Sequence, residues 1–314
     1  MKKVLFIRSD RLGEFLLSLP AIKLFKLNYP QSDVYLLAQK TNIELTKDVD
    51  FIDYFLEYKE NSFSGFKGVF RLAACLRKEK IDCLVAMNPK KEFHLAAKLA
   101  GIPLRVGYDR KWGWCLNKKI KDKKYLEEKH EVEYNIELVR LICGDLPALE
   151  VDLKVDGQES LDFLKEDLDI SSSYLIVHPF TSNPLKKVYF EFWRSLIRRL
   201  KEKGFENIVL IGATSEKEEA KELAAELGII DLVGTMSLRN LAAFMKYNCS
   251  AFVGLDSGPM HLASLFKIPV VSLFTTSNPK RWGPWKTKSL VFELKPKEDF
   301  SNQVTEAVNF ILKQ

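Results

Sequence analysis

No run of apolar residues in this 314-residue chain approaches the eighteen that a membrane-spanning helix requires. The first apolar segment, Val4–Ile7, meets charge at once in Arg8, Asp10 and Arg11. A secretory signal needs about 7–15 apolar residues there, so the segment reads as a first strand. The five cysteines (Cys75, Cys83, Cys115, Cys143, Cys249) are scattered, odd in number and without a CxxC pair. That spacing gives neither a disulfide framework nor a zinc site, and it fits a reduced, cytoplasmic interior. No GxGxxG follows the first strand, which argues against a dehydrogenase. No GxxxxGK[ST] occurs, which excludes a P-loop NTPase. Fixed-period repeats, low-complexity segments and nucleic-acid-binding signatures are missing too, so no nucleic acid partner is expected.

What is present is ordinary globular composition, 46% hydrophobic and 29% charged, in a length that suits two domains. The net charge of +6 points to acidic ligands or a membrane surface more than to duplex DNA. Short runs rich in Val, Ile and Leu alternate with helical patterns. In the first half, strands are expected at Val4–Arg8, Asp33–Ala38, Ile52–Leu56, Ile81–Met87 and Leu104–Val106. Helices are expected near Phe15–Leu27, Gly68–Lys80, Glu92–Leu99 and Lys129–Ile142. A polar linker runs from Gly144-Asp145-Leu146-Pro147 to Ser171-Ser172-Ser173, dividing residues 1–155 from 156–314. Strands then recur at Tyr174–His178, Asn207–Ile211, Ile230–Val233, Ala251–Gly254 and Pro269–Phe274. The last helix, Gln303–Leu312, is amphipathic and is expected to pack back on the first domain. Continuous apolar strands argue for parallel sheets covered on both faces. The fold class is therefore α/β, two doubly wound domains facing across a cleft, with ligands bound outside the carboxyl ends of the strands.

Strand Ala251–Gly254 leads into Asp256-Ser257-Gly258-Pro259-Met260-His261. Ser257 suits a helix cap, Gly258 permits close backbone approach, and Pro259 suits a first helical turn. A helix N-terminus offers N–H groups and about half a positive charge, which fits a phosphate flanked by Asp256 and His261. The same residues also fit a plain capped helix with His261 in the packing. Lys186 and Lys187 read equally as a solvated basic pair. Asp109–Lys129 gathers Arg110, Lys111, Lys118, Lys119, Lys121, Lys123, Lys124 and Lys129 around Trp112, Trp114 and Tyr125. Aromatics among lysines suit anionic lipid or a phosphorylated glycolipid, and a solvated loop is the plainer reading.

Asp256–His261 with Leu262-Ala263-Ser264, then Asn278-Pro279-Lys280-Arg281-Trp282-Gly283-Pro284, resembles glycosyltransferase family nine, the lipopolysaccharide heptosyltransferases. The family patterns are D-[ST]-G-P-x-H-L-A and [TS]-[DN]-P-x-x-W-G-P. Similarity extends to Val4–Arg8 with Gly13, Pro20 and Ala21, to His178–Ser182 with Lys186, and to Gly212, Glu216, Gly234 and Met236.

The resemblance implies a GT-B fold, with donor in the C-terminal domain and acceptor in the N-terminal one. It implies inverting transfer of a sugar, ADP-heptose being the family's usual donor, onto a lipopolysaccharide core or related glycolipid. Donor contacts would come from Thr181, Ser182, Lys186, Glu216 (ribose), Met236 (base), Asp256, Ser257, Gly258, Pro259, Met260 and His261. Asp10, Arg11, Gly13, Lys118, Lys119 and Lys121 would face the acceptor. Where the family usually carries Asp as general base, this chain carries Glu14; catalysis would rest on Glu14, Lys186 and Asp256. No DxD-like acidic cluster follows a strand, so neither metal nor cofactor is expected. The enzyme would work in the cytoplasm, peripheral to the inner face of the membrane. A nucleotide-sugar epimerase and a non-catalytic nucleotide-sugar-binding protein are the alternatives on the same architecture.

Overall fold

The computed structural model describes residues 1–145, 150–166, 168–295 and 299–314. The chain divides into two compact units, Met1–Leu153 and Lys154–Gln314.

The first unit is built on a parallel sheet of β1 (Lys3–Ile7), β2 (Asp33–Ala38), β3 (Tyr54–Glu57), β4 (Cys83–Ala86), β5 (Leu104–Asp109) and β6 (Lys118–Lys121). Their order is β3-β2-β1-β4-β5-β6. Val4–Ile7 of central β1 are fully buried, as expected of a strand covered by helices on both faces. β1 lies between β2 and β4, with Val4 opposite Val34 and Cys83. The order reverses there, so the loops after β1 and β4 part to opposite sides and leave a crevice at the carboxyl ends.

The second unit repeats the plan. It uses β7 (Tyr174–His178), β8 (Ile208–Leu210), β9 (Ile230–Asp231), β10 (Cys249–Leu255), β11 (Val270–Phe274) and β12 (Ser289–Glu293). The order is β12-β11-β10-β7-β8-β9, with the switch point between β7 and β10.

Four expectations are corrected. The helix foreseen near Phe15–Leu27 is two helices, Leu12–Leu16 and Leu19–Asn28. Pro20 cannot donate to a carbonyl four residues back, and Ser18 Oγ donates instead to Phe15 O at 2.6 Å. Second, the segment Asp109–Lys129 is no plain loop, because Lys118–Lys121 pairs as edge strand β6. Its lysines suit an edge that must not recruit another strand. Third, the stretch read as a linker through Ser173 is largely part of the second unit. Leu161, Leu164 and Leu168 are buried, Asp156 takes both Arg239 Nε and Nη2 at 2.6 Å, and Asn248 donates to the Ile170 and Ser172 carbonyls. Leu146 and Pro147 of that stretch lie outside the described residues. Fourth, the last helix (Ser301–Ile311) lays its apolar stripe into the core of its own unit. Val304, Ala307, Val308 and Ile311 join the core that includes helix Phe190–Glu202, and Arg199 donates to Thr305 Oγ1 at 2.7 Å. Its apolar stripe is consumed there.

Candidate active site

In the second unit, β7 and β10 deliver their loops to opposite sides of the switch point. The loop after β7 turns through Thr181, whose Oγ1 accepts from Asn183 N at 3.2 Å. Asn183 Oδ1 then accepts from Leu185 N, capping the single turn Pro184–Lys186. Thr275 Oγ1 donates to Leu185 O at 3.0 Å and ties this turn to the loop after β11. The turn aims Lys186 at the end of β10, where its Nζ donates to Asp256 Oδ2. Lys187, next in sequence, turns outward to Glu219.

Asp256 is buried at the end of β10. Ser277 Oγ donates to the same Oδ2 at 2.5 Å, and His261 Nε2 lies 3.7 Å from Oδ1. Burial alone would raise the Asp256 carboxyl. The polar and charge interactions of His261, Lys186 and Ser277 outweigh it and hold the group down at about 2. At 3.7 Å the His261 contribution is electrostatic more than a formed hydrogen bond. Asp256 is therefore an anion that fixes an ammonium at the mouth of the switch point.

Helix Gly258–Leu265 begins immediately afterwards, with Pro259 in its first turn. Ser257 occupies the cap position, yet its hydroxyl does not cap. Its Oγ lies 3.2 Å from His178 Nδ1 at the end of β7. The expected cap bond is thus replaced by a link across the switch point, and the first-turn N–H groups keep no intrahelical partner. Two side chains expected to touch donor do not present themselves. Met260 is fully buried, which leaves only its backbone N–H to offer, and His261 is 2% exposed and packed beneath Asp256. Helical spacing carries both toward the core, so the His261 ring lies in the packing with a carboxylate beside it.

Ser182 is exposed on the loop after β7. Glu216 and Met236, both half-buried, follow β8 and β9, one and two strands from β7. Glu216 Oε2 accepts from Ala213 N at 2.7 Å, and a Cβ on Gly212 would come within 2.7 Å of that oxygen. Burial pushes this carboxyl above its ordinary value, with the Ala213 N–H working against it. These residues are on neighbouring loops of one rim, though no bond joins them to the Lys186–Asp256 pair. Among the described residues, no group of three or more His, Cys, Asp or Glu is placed to hold a metal ion.

In the first unit, the loop after β1 leads into helix Leu12–Leu16, with Arg11 exposed at its cap, Gly13 buried and half-buried Glu14 in its first turn. Beneath the loop lies Arg8, 2% exposed. Its Nη1 donates to Met87 O at 3.0 Å, bridging the ends of β1 and β4. Its Nη2 reaches Glu131 Oε1 at 3.4 Å, and its Nε is 3.0 Å from Asp10 Oδ1 but misaligned for a hydrogen bond. Lys124 Nζ donates to the same Glu131 oxygen at 2.6 Å.

Lys118, Lys119 and Lys121 are not brought to this loop. They sit on β6, three strands from β1, roughly 14 Å at ordinary strand spacing. Lys119 pairs with Asp109, Arg110 with Asp122 and Lys129 with Glu137, while Lys124 is buried. The segment Asp109–Lys129 is thus less a free basic surface than its composition suggests.

Sequence reading gave no role to Ser277, which fills the first position of the second family pattern, or to His178, whose signal was its place at a strand end before Pro179. It missed Arg8, Lys124 and Glu131 as a buried charge network, because Arg8 and Glu131 stand far apart in sequence.

A family model described as glycosyltransferase family 9 (heptosyltransferase) matches residues 69–308. A Haemophilus influenzae protein named as a glycosyltransferase is 27% identical over 90% of this chain and 86% of its own length. Lipopolysaccharide heptosyltransferase 3 of Escherichia coli K12 is 22% identical over 89% of this chain and 84% of its own. Among solved structures, E. coli heptosyltransferase WaaC with ADP superposes with a TM-score of 0.76 at 20% identity, covering 99% of each chain.

Proposed function

The chain belongs to glycosyltransferase family 9, the heptosyltransferases, and from that premise we propose that it moves heptose from ADP-heptose onto a lipopolysaccharide core or related glycolipid, with inversion. The observation that carries this reading is the Lys186–Asp256 pair at the second switch point, beside the start of helix Gly258–Leu265. The relative solved with ADP and the resemblance to lipopolysaccharide heptosyltransferases support the choice of donor and acceptor.

The acceptor hydroxyl attacks the anomeric carbon while its proton passes to Glu14. The bond from that carbon to the diphosphate oxygen breaks, and the nucleoside diphosphate leaves with the electron pair. Negative charge grows on the diphosphate as the bond lengthens. A fixed ammonium and helix N–H groups stabilise it without reorganising, and this kind of stabilisation is commonly the largest contribution to such catalysis. Lys186, the N–H groups of Gly258 and Met260 and the Ser182 hydroxyl supply them. Thr181 shapes the Lys186 turn, and Asp256 holds the ammonium in place. Glu216 and Met236, on the next two loops, receive ribose and base. Asp10, Arg11 and Gly13 shape the acceptor end. No metal is required in this scheme, because the positive charge is already built in.

Two measurements test the reading. A thermal-shift panel of ADP, UDP, GDP and CDP with their sugars reads binding through linkage; a preference for UDP would overturn ADP-heptose. Release of free nucleoside diphosphate should require acceptor and persist in EDTA. Binding without any release would recast the chain as a nucleotide-sugar-binding protein. The glycolipid acceptor also implies peripheral contact with an anionic membrane. Among the described residues no helix is long and apolar enough to cross one.

A further inference from the structure

We propose that the protein seats on anionic lipid through one rim of the first unit, with Phe66, Phe70 and Trp112 as the side chains that enter the interface. The inference rests on the lipid-linked acceptor proposed above and assigns the surface that reaches it. The rim is made by the segments that follow β3, β4 and β5. All three strands are parallel, so these segments leave the same edge of the sheet. The helices that follow run back antiparallel, which places the starts of helices Gly65–Glu79 and Lys91–Leu99 on that edge as well. Side chains join the segments: Tyr58, just after β3, packs edge-on to Phe93, and Lys90 Nζ lies 4.9 Å from the Tyr58 ring.

Helix Gly65–Glu79 buries Val69, Leu72, Ala73 and Leu76. Phe66 and Phe70 stand one turn apart on its other side, 73% and 50% exposed, touching edge-on at 5.0 Å. Lys67 and Arg71 continue around that outer face. A lone exposed phenylalanine means nothing. Two on the water side of a helix that already has its apolar stripe contribute nothing to the unit's own core.

Trp112 is the independent observation. Lys111 and Trp112 both adopt left-handed backbone, φ 45° and 67°, and neither is glycine. Such residues are strained and persist only where the surroundings over-determine them. Here the buried His94 Nδ1 donates to Lys111 O at 3.1 Å, and Gly113 fits because a Cβ there would overlap the Asp109 carboxylate. The strained turn does not bury the indole, which is 45% exposed, with Lys91 Nζ 5.7 Å from its ring.

Rings flanked by Lys67, Arg71, Lys91 and Lys111 match a surface with an acyl boundary beneath and anionic headgroups above. Glu57 lies 3.9 Å from Lys59 at the far end of the rim, and Glu60 is exposed beside it. The charge complementarity therefore sits on the helix and Trp112 side.

The experiment is sedimentation of the full chain with phosphatidylglycerol–phosphatidylcholine vesicles and with phosphatidylcholine alone. Wild type should partition to the anionic vesicles. Phe66→Ser/Phe70→Ser, Trp112→Ser and Lys67→Glu/Arg71→Glu should each weaken partition about tenfold or more. Unaltered partition in all three, or no wild-type partition, overturns the proposal, as does self-association through these residues in sedimentation velocity. Donor thermal shift is run on the same samples. A retained shift shows that a variant is folded. Loss of the wild-type donor shift, with vesicle binding intact, is instead a failure of the transferase reading.

Discussion

Lys186 and Asp256, seventy residues apart, meet across the point where strand order reverses in the second sheet. Each comes from the loop at the end of its own strand, so neither can hold this position without the other's loop. The pairing predicts unequal losses. Lys186→Ala removes the positive charge offered to the leaving diphosphate and should lower turnover by roughly 10²–10³-fold. Lys186→Arg should restore part of it. Asp256→Asn keeps the shape but frees the ammonium, so donor KM should rise more than turnover falls. Steady-state kinetics on the three variants check this, and equal effects on KM and kcat in all of them would contradict the assigned roles.

The second unit should lose stability in acid in two separate windows. Burial pushes His178 down to about 4, so the unfolded chain binds its proton more readily than the folded one. The stability it contributes is complete above pH 6.5 and falls away as pH drops toward 4, by roughly 3 kcal/mol. Asp256, held at about 2, contributes above its ordinary 3.8 and loses this only between there and about 2. Urea midpoints from pH 7.5 down to 2 should therefore fall through the His178 window first and through the Asp256 window only below pH 3.8. His178→Gln should flatten that slope while leaving the lower window in place.

Glu14→Gln should lower turnover by roughly 10²–10⁴-fold, the usual worth of a general base, with donor affinity unchanged. Asp10→Asn separates the two carboxylates of the loop. Asp10 lies against the Arg8 guanidinium, and its loss should disturb loop position more than proton transfer. Rate against pH, with the acidic limb lost in Glu14→Gln and kept in Asp10→Asn, distinguishes base from positioning residue.

The repeating plan was legible in sequence because the strands near each switch point are buried on both faces and read as unbroken apolar runs. Tyr174–His178 and Asp33–Ala38 keep their expected bounds. β6 and β12 were not legible. Edge strands need only one partner and one apolar face, so Lys118–Lys121 carries a single isoleucine. Within the Asp256–His261 run the structure departs from the expected local geometry at Ser257, whose hydroxyl does not cap the helix. Local capping rules favoured Ser257 as cap, and the neighbouring β7 supplied His178 as a stronger claim on its hydroxyl. The last helix showed an amphipathic stripe, but periodicity gives a face and not the partner that covers it.

Glu131 offers the sharpest test of what supports the first loop. One buried carboxylate faces two cations, Lys124 from the segment after β6 and Arg8 beneath the loop after β1. Breaking a buried pair leaves a desolvated charge and typically costs about 3–5 kcal/mol, so Glu131→Ala should lower the urea midpoint of the first unit sharply. Glu131→Gln keeps the volume and an accepting oxygen and should cost less. Removing one cation together with the anion should help: Lys124→Met combined with Glu131→Leu leaves only Arg8, which retains Met87 O and Asp10. A coupling of about 0.5–3 kcal/mol in that double-mutant cycle is expected. If Arg8 also sets the loop, kcat/KM for acceptor should fall in Glu131→Gln while donor thermal shift stays constant. Strict additivity would mean that Lys124 and Glu131 act on stability separately, and that the carboxylate is held by the protein around it and not by its cations.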